Sequence, residues 1–85
     1  MKTICSIYRS PQVEGMYLYV DKTVGLAKVP DVLLSRFGKP ELAMTIALYP
    51  GRKLARAEAE TVLAAFDEVG FYLQMPPHPD EESRG

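Results

Sequence analysis

The side chains that most often carry out covalent chemistry are scarce in this chain and far apart in sequence. Cys5 is the single cysteine and His78 is the single histidine. A cysteine nucleophile needs a neighbouring base to form its thiolate. Cys5 lies in an apolar run, whereas His78 lies between prolines close to the end of the sequence. We therefore expect Cys5 to be a small buried hydrophobic residue, and a single cysteine excludes an internal disulfide bond.

The acidic side chains form no pair suited to proton transfer. Glu58 and Glu60 are two positions apart, so on a helix they point away from each other. Asp67 and Glu68 are adjacent and are expected to be solvated. The chain lacks the Cys/His set of a zinc site, and its six glycines are dispersed instead of forming a phosphate-binding loop. The sequence thus predicts no catalytic residue, no cofactor and no metal.

Two sets of side chains are candidates for binding instead. Tyrosines on the face of a sheet can stack on nucleic-acid bases or anchor a partner protein. Basic residues before a helix can attract an anion. The alternative interpretation is that a helix covers the tyrosines and that the basic side chains are simply solvated. The predicted interaction surface comprises Tyr8, Arg9, Tyr17, Tyr19, Arg36, Lys39, Arg52, Lys53, Arg56 and Tyr72.

The charges divide the chain into a basic part and an acidic part. Residues 1–56 contain nine of the ten basic residues, whereas the segment from Ala57 onward contains seven acids and only Arg84 as a base. The net charge of the whole chain is −1. A general nucleic-acid-binding protein usually carries a clear basic excess, so this balance argues against that class.

Apolar periodicity predicts the elements that must position these side chains. Alternation predicts strands at residues 3–9, 16–21, 41–48 and 71–75. Apolar residues at helical spacing predict helices at residues 30–37 and 55–69. Gly38 and Gly70 suit the ends of these helices. A helix starting at Glu41 is the alternative for the third strand, because Leu, Ala and Met favour helices; the regular alternation favours the strand.

The order of these elements predicts one small α/β domain at residues 1–77. The first two strands are expected to form an antiparallel hairpin. The strand–helix–strand segment from Leu42 to Met75 is typical of a crossover unit, which would make its two strands parallel. The predicted sheet is therefore mixed, with about four strands. Residues 78–85 are expected to form a flexible acidic tail.

Five segments together resemble the YcgL family of small bacterial proteins: CSIYRS (5–10), MYLYVDK (16–22), VPDVLLSRFGKP (29–40), RKLARAE (52–58) and GFYLQMPP (70–77). The resemblance spans residues 3–77; the loop Tyr49–Gly51 and the segment from His78 are less typical. It implies a three-layer α/β/α sandwich in a bacterial cytoplasm, without an assigned activity, cofactor or catalytic residue. Three layers would require a further helical turn within residues 22–40.

These observations predict a non-enzymatic protein-interaction module with an unknown protein partner. The alternative is an RNA-associated accessory protein, whose salt-sensitive binding would need Arg52, Lys53 and Arg56. An enzyme with an unrecognised site is the least favoured class. No apolar run approaches the length of a membrane span, and the N-terminal residues do not resemble a signal peptide. The predicted location is therefore the cytoplasm, and the oligomeric state stays open.

Overall fold

The computed structural model describes residues 2–54 and 57–76. Its secondary structure comprises six elements, and each of them lies within a segment that the sequence predicts. The predicted tail at residues 78–85 lies outside the described residues. The elements are β1 (Thr3–Arg9), β2 (Tyr17–Asp21), α1 (Asp31–Phe37), β3 (Glu41–Leu48), α2 (Ala59–Glu68) and β4 (Tyr72–Gln74).

Local sequence explains both ends of α1. Pro30 precedes the helix in an extended conformation, and Asp31 supplies an acidic side chain to the first turn. Gly38 ends the helix with φ of 86°, and its N–H donates to the carbonyl of Leu34. A Cβ at position 38 would lie 2.9 Å from Cγ of Gln12. The positive φ favours glycine here, and a larger side chain would also displace the exposed side chain of Gln12.

Helix α2 begins at Ala59, later than its apolar spacing predicts. Glu58 has an extended backbone and forms an isolated antiparallel bridge with Lys53. This bridge follows the turn in which the N–H of Arg52 donates to the carbonyl of Tyr49. A residue that pairs in a bridge cannot also adopt helical dihedral angles. The shorter helix covers less of the sheet than a helix at residues 55–69 would cover.

The sheet has four strands in the order β3-β1-β2-β4, and every neighbouring pair is antiparallel. The predicted mixed sheet and the parallel crossover unit are therefore wrong. β3 and β4 occupy opposite edges of the sheet, because the β1–β2 hairpin fills both central positions. The segment containing α2 thus links the two edges across one face. A strand–helix–strand pattern is compatible with either strand direction when the two strands are not neighbours.

A β-bulge displaces the first part of β3 relative to its predicted alternation. Ile7 pairs with Met44 but the next residue, Tyr8, pairs with Leu42, which leaves Ala43 as an extra residue. Paired residues share a face and successive residues on β1 alternate. Leu42 therefore lies on the opposite face from Met44, whereas unbroken alternation would place both side chains on one face.

The core consists of two clusters on opposite faces of the sheet. Tyr19 belongs to one cluster, and its neighbours Leu18 and Val20 belong to the other. We call the two surfaces the α2 face and the α1 face, after the helix that contributes to each cluster. The α2-face cluster contains Cys5, Ile7, Tyr19, Leu48, Ala59 and Val62. The α1-face cluster contains Met16, Leu18, Val20, Val29 and Phe37.

Two predictions about individual segments have different outcomes. Cys5 is fully buried, as predicted. The further helical turn expected before α1 is wrong, because residues 22–29 form turns. Asp21 organises the first of these turns: its carbonyl accepts from the N–H groups of Val24 and Gly25, and its Oδ1 accepts from Thr23. This Asx-type turn occupies backbone groups that a helix would otherwise use.

Ser10 connects the β1–β2 loop to the end of α1. Its buried hydroxyl donates to the carbonyl of Phe37 and accepts from the N–H groups of Gln12 and Val13. The two segments are therefore joined by one side chain on the α1 face. Among the described residues, no helix is long and apolar enough to cross a membrane.

Candidate functional site

A groove opens on the α2 face beside the part of the sheet that α2 leaves uncovered. Its volume is about 490 Å³. Strands β1, β2 and β3 supply most of its floor, and the loop that follows β3 supplies one wall. The apolar lining residues are Ile7, Tyr17, Tyr19, Met44, Ile46 and Leu54. Three basic side chains, Arg9, Arg52 and Lys53, also line the groove.

One row of paired residues crosses the sheet at the end of the groove. Arg9 pairs with Glu41 on one side and with Tyr17 on the other, and Tyr17 pairs with Gln74. We call these four residues the terminal row. Paired residues in adjacent strands project from the same face. The antiparallel strand order therefore brings together four residues that are far apart in sequence.

Tyr19 forms a rigid wall of the groove. Its side chain is 7% exposed, and its hydroxyl donates to Oε1 of Gln74 at 2.7 Å. Its ring packs edge-on against Tyr72, with centroids 5.6 Å apart. Burial raises the pKa of the Tyr19 hydroxyl, so the phenol stays protonated at neutral pH. The ring is thus held in place, which leaves the half-buried Tyr17 as the more accessible aromatic side chain of the groove.

The basic side chains differ in how firmly they are held. Nη1 of Arg52 donates to the carbonyl of Ala47 at 2.9 Å, and its guanidinium lies 6.0 Å from the ring centre of Tyr49. Nε of Arg9 donates to Glu41 at 3.0 Å, but both side chains of this pair are about half exposed or more. Exposed ion pairs contribute little to stability. Arg9 can therefore exchange Glu41 for another carboxylate at small cost, whereas Arg52 is positioned by the backbone.

The structure brings five of the ten predicted site residues together in the groove: Arg9, Tyr17, Tyr19, Arg52 and Lys53. Tyr72 packs behind Tyr19 in the α2-face cluster. Tyr8 packs against the α1-face cluster instead. Arg36 lies in the last turn of α1, and Lys39 lies in the connection between α1 and β3. The tenth residue, Arg56, lies outside the described residues.

Sequence reasoning missed the contribution of β3 to the site. Met44 is 53% exposed, and Ile46 is partly buried beside it. β3 is also an edge strand, so within residues 2–54 and 57–76 no other strand pairs with its outer side. Such an edge offers backbone N–H and C=O groups to an added strand. The apolar alternation of ELAMTIAL was a visible signal, but it does not show which side chains a helix leaves uncovered.

A second, polar hollow adjoins the groove beyond the terminal row. It has a volume of about 540 Å³ and shares Arg9, Tyr17 and Glu41 with that row. The β1–β2 connection, including Glu14, forms its other side. The groove and this hollow together therefore extend from an apolar floor to a polar end with charges of both signs.

The described side chains include one cysteine, and its thiol is buried. Burial raises the pKa of the Cys5 thiol from 9.0 to about 11, so this group is protonated and unreactive at neutral pH. Within the described part of the chain, no three His, Cys, Asp or Glu side chains lie close enough to hold a metal ion. The groove itself presents an apolar floor, two arginines, a lysine and a buried phenol.

The fold and the groove define a small α/β protein with an antiparallel sheet, two helices and a groove on the α2 face. Residues 5–77 match the model of the YcgL domain. The chain belongs to the YcgL domain family, as the resemblance of its sequence segments predicts.

Relatives within this family are similar over almost the whole chain. A YcgL domain-containing protein of Stutzerimonas stutzeri is 54% identical over 81 residues, which covers 95% of this chain and 84% of that protein. A YcgL domain-containing protein of Cellvibrio japonicus is 53% identical over 77 residues, covering 91% and 79%. One from Chromohalobacter salexigens is 51% identical over 76 residues, covering 89% and 79%.

Proposed function

We propose that this chain is a non-enzymatic protein-interaction module whose groove binds an extended segment of a partner protein. One observation carries the proposal: side chains of β3, which is an edge strand of the sheet, line the groove. An extended segment that pairs with β3 would gain backbone hydrogen bonds and place alternate side chains over the groove. An apolar floor with a charged rim is the usual composition of a peptide-binding surface.

The lining residues indicate the chemistry of the bound segment. Met44 and Ile46 offer apolar contact next to the strand edge. Arg9 and Lys53 place positive charge at the rim. A segment with apolar residues at alternate positions and at least one carboxylate therefore fits best. Arg52 supports the rim, because its bond to the carbonyl of Ala47 limits its movement.

The internal bonds of the groove support a binding role over catalysis. The Tyr19 hydroxyl is engaged by Gln74, and Arg52 is engaged by Ala47. A general acid or base needs a pKa close to the working pH, whereas the pKa of Tyr19 is raised above its ordinary value of 10.0. Tyr19 therefore contributes to the shape of the groove, and Arg52 contributes positive charge.

Site-specific photocrosslinking in cells of the host tests this function. A photoreactive amino acid replaces Met44 in one variant and Val32 in a matched variant, because Val32 is 72% exposed on α1. We expect a discrete crosslinked protein from position 44 and none from position 32. Charge reversal by Arg9→Glu and Lys53→Glu should remove that product. Identical product patterns at the two positions would contradict the proposal.

RNA binding is the second candidate function, and one observation favours it. Arg9, Arg52 and Lys53 converge on the same groove as Tyr17. Aromatic stacking beside basic groups is a common arrangement for single-stranded nucleic acid. The small number of basic groups and the net charge of −1 favour the protein partner.

Titration of a labelled single-stranded RNA tests this second candidate. The comparison is between wild type, the Arg52/Lys53/Arg56→Ala variant and a matched Lys2/Lys22/Lys28→Ala variant with the same change in charge. RNA binding at the groove requires salt-sensitive affinity that only the first variant loses. Equal weak binding by all three proteins would remove RNA from consideration.

Two further expectations stand as proposals. We infer a three-layer arrangement, because Phe37 of α1 and Val62 of α2 belong to clusters on opposite faces of the sheet. An experimental structure showing both helices on one face would contradict it. The cytoplasmic setting is the second proposal, and fractionation of host cells would test it.

A further inference from the structure

We propose that residues 77–85 of this chain occupy the groove until a partner displaces them. The inference rests on the proposed function of the groove as a peptide-binding surface. The segment reads PHPDEESRG and contains three consecutive acids, Asp80, Glu81 and Glu82. It therefore has the chemistry that the groove is suited to bind, namely that of an acidic peptide.

The position of β4 brings this segment to the groove. β4 ends at Gln74, which lines the groove and pairs with Tyr17 in the terminal row. The described chain ends two residues later at Pro76. The segment therefore starts beside the site that it is proposed to cover.

The segment is long enough to cross the groove. Adjacent strands are about 4.8 Å apart, so Arg9 lies about 10 Å and Glu41 about 14 Å from Gln74 along the terminal row. Asp80 follows Gln74 by six residues. An extended proline-rich chain spans about 3.1 Å per residue, which gives about 19 Å. The three acids can therefore reach Arg9 and the β3 side of the groove.

The prolines of the segment precede its acids, and the groove likewise has an accessible tyrosine near β4 and basic side chains farther from β4. Pro77 and Pro79 come first and would lie over β2, where Tyr17 is accessible. Proline-rich extended segments dock on aromatic side chains and lose little conformational entropy on binding. The acids follow and would meet Arg9 and Lys53, which lie towards β1 and β3.

The energetics favour an intramolecular contact. Among the described acidic side chains, only the exposed Glu41 forms an ion pair with Arg9. Replacing Glu41 by another carboxylate in this pair costs little free energy. Attachment to β4 gives the segment an effective concentration in the millimolar range or above. An interaction with millimolar affinity is then enough to occupy the groove for much of the time. An external partner must bind more tightly or arrive with greater charge.

Neutralising the acids in the full chain provides the first test. The Asp80→Asn/Glu81→Gln/Glu82→Gln variant keeps the length of the chain, and Asp31→Asn/Asp67→Asn/Glu68→Gln is the matched control. In ¹⁵N NMR spectra, we expect the amide signals of Arg9, Tyr17 and Met44 to shift in the first variant and to stay in place in the control. Raising salt from about 50 to about 500 mM should move the same wild-type signals in the same direction.

A synthetic peptide with the sequence of residues 77–85 provides the second test. If the groove is mostly occupied in the wild type, this peptide should bind the tail-neutralised full chain about fivefold more tightly than the wild type. Equal affinities would overturn the inference. Wild-type signals that move with protein concentration over about a tenfold range would also overturn it, because the segment would then bind another copy.

The outcomes separate this inference from the proposed function. If neutralising the tail leaves Arg9, Tyr17 and Met44 unmoved while photocrosslinking at position 44 still captures a partner, the tail does not occupy the groove and the function stands. If the tail variant moves these signals but position 44 captures nothing, the tail docks and the proposed function fails.

Discussion

The two faces of the sheet differ in how completely they are covered. On the α1 face, Leu18, Val20 and Phe37 are fully buried. On the α2 face, Leu48 is fully buried, but Met44 of the same strand is 53% exposed. The α1-face cluster is thus closed over β2, although Ile4 and Leu42 on the same face are 42% and 60% exposed. The α2 face is closed at the Leu48 end and open at the Met44 end, where the groove lies.

The start of α2 accounts for much of this difference. Glu58 has an extended backbone and pairs with Lys53 in an isolated bridge, so the helix starts only at Ala59. The loop before the helix then forms a wall of the groove through Lys53 and Leu54 instead of covering its floor. Substitutions on the two faces should consequently have different effects on stability and binding.

The largest expected effect is on the α1 face. Phe37→Ala removes a fully buried aromatic side chain and should lower the free energy of unfolding by about 3–5 kcal/mol. Met44→Ala on the α2 face should lower it by less than about 1 kcal/mol, because half of its surface is already in water. Urea denaturation of both variants measures the difference. Similar losses would show that the two faces are equally important for stability.

The Ser10 hydroxyl gives the next largest effect on the α1 face. Ser10→Ala leaves the Phe37 carbonyl and two loop N–H groups without this partner, which should cost about 1–3 kcal/mol. Ser35→Ala is the matched control, because Ser35 is exposed on α1 and its replacement should change stability by less than about 0.5 kcal/mol. Both values come from urea denaturation. A Ser10 variant as stable as the control would refute the role of its hydroxyl.

Alkaline pH probes the closed end of the α2 face. The pKa of Cys5 rises from 9.0 to about 11 on folding, so the neutral thiol is favoured in the folded state. Stability from this group is complete below about pH 9 and is lost as the pH rises towards 11, by roughly 2 kcal/mol. Urea titrations across this range measure the loss. Cys5→Ala should show a smaller loss, with the remainder from Tyr19, whose pKa is also raised.

The smallest effect on stability is expected at the open end. Glu41→Gln removes an exposed ion pair and should change the free energy of unfolding by less than about 0.5 kcal/mol. It should nevertheless tighten binding of the residue 77–85 peptide to the tail-neutralised chain, because Arg9 loses its competing carboxylate. Unchanged peptide affinity in fluorescence titrations would indicate that Arg9 takes no part in binding.

The sequence predicts local structure well because local signals determine it. Alternation located β3 at its observed residues, and Gly38 marks the end of α1. The strand directions could not be obtained in this way, because β3 and β4 pair with β1 and β2 rather than with each other. The further helical turn expected within residues 22–40 did not form, because Asp21 organises turns at the start of that segment.

The site could be predicted only in part, for the same reason. Residue types identified Arg9, Tyr17 and Arg52 as candidates, but their meeting depends on pairings between distant segments. Tyr8 and Tyr17 are both strand residues, but their positions in the strand pairing place Tyr8 on the α1 face and Tyr17 on the α2 face. Met44 became part of the site because α2 starts late, which depends on one isolated bridge.

The hydroxyl shared by the β1–β2 connection and the last turn of α1 has a consequence for local motion. Phe37 and Gln12 are bonded through a single atom, Oγ of Ser10. Opening of either segment must break bonds that hold the other, so the two segments open together as one cooperative unit. Amide hydrogens at Val13 and at Gly38 should then show closely similar protection factors against exchange with solvent, although they are 25 residues apart in the chain.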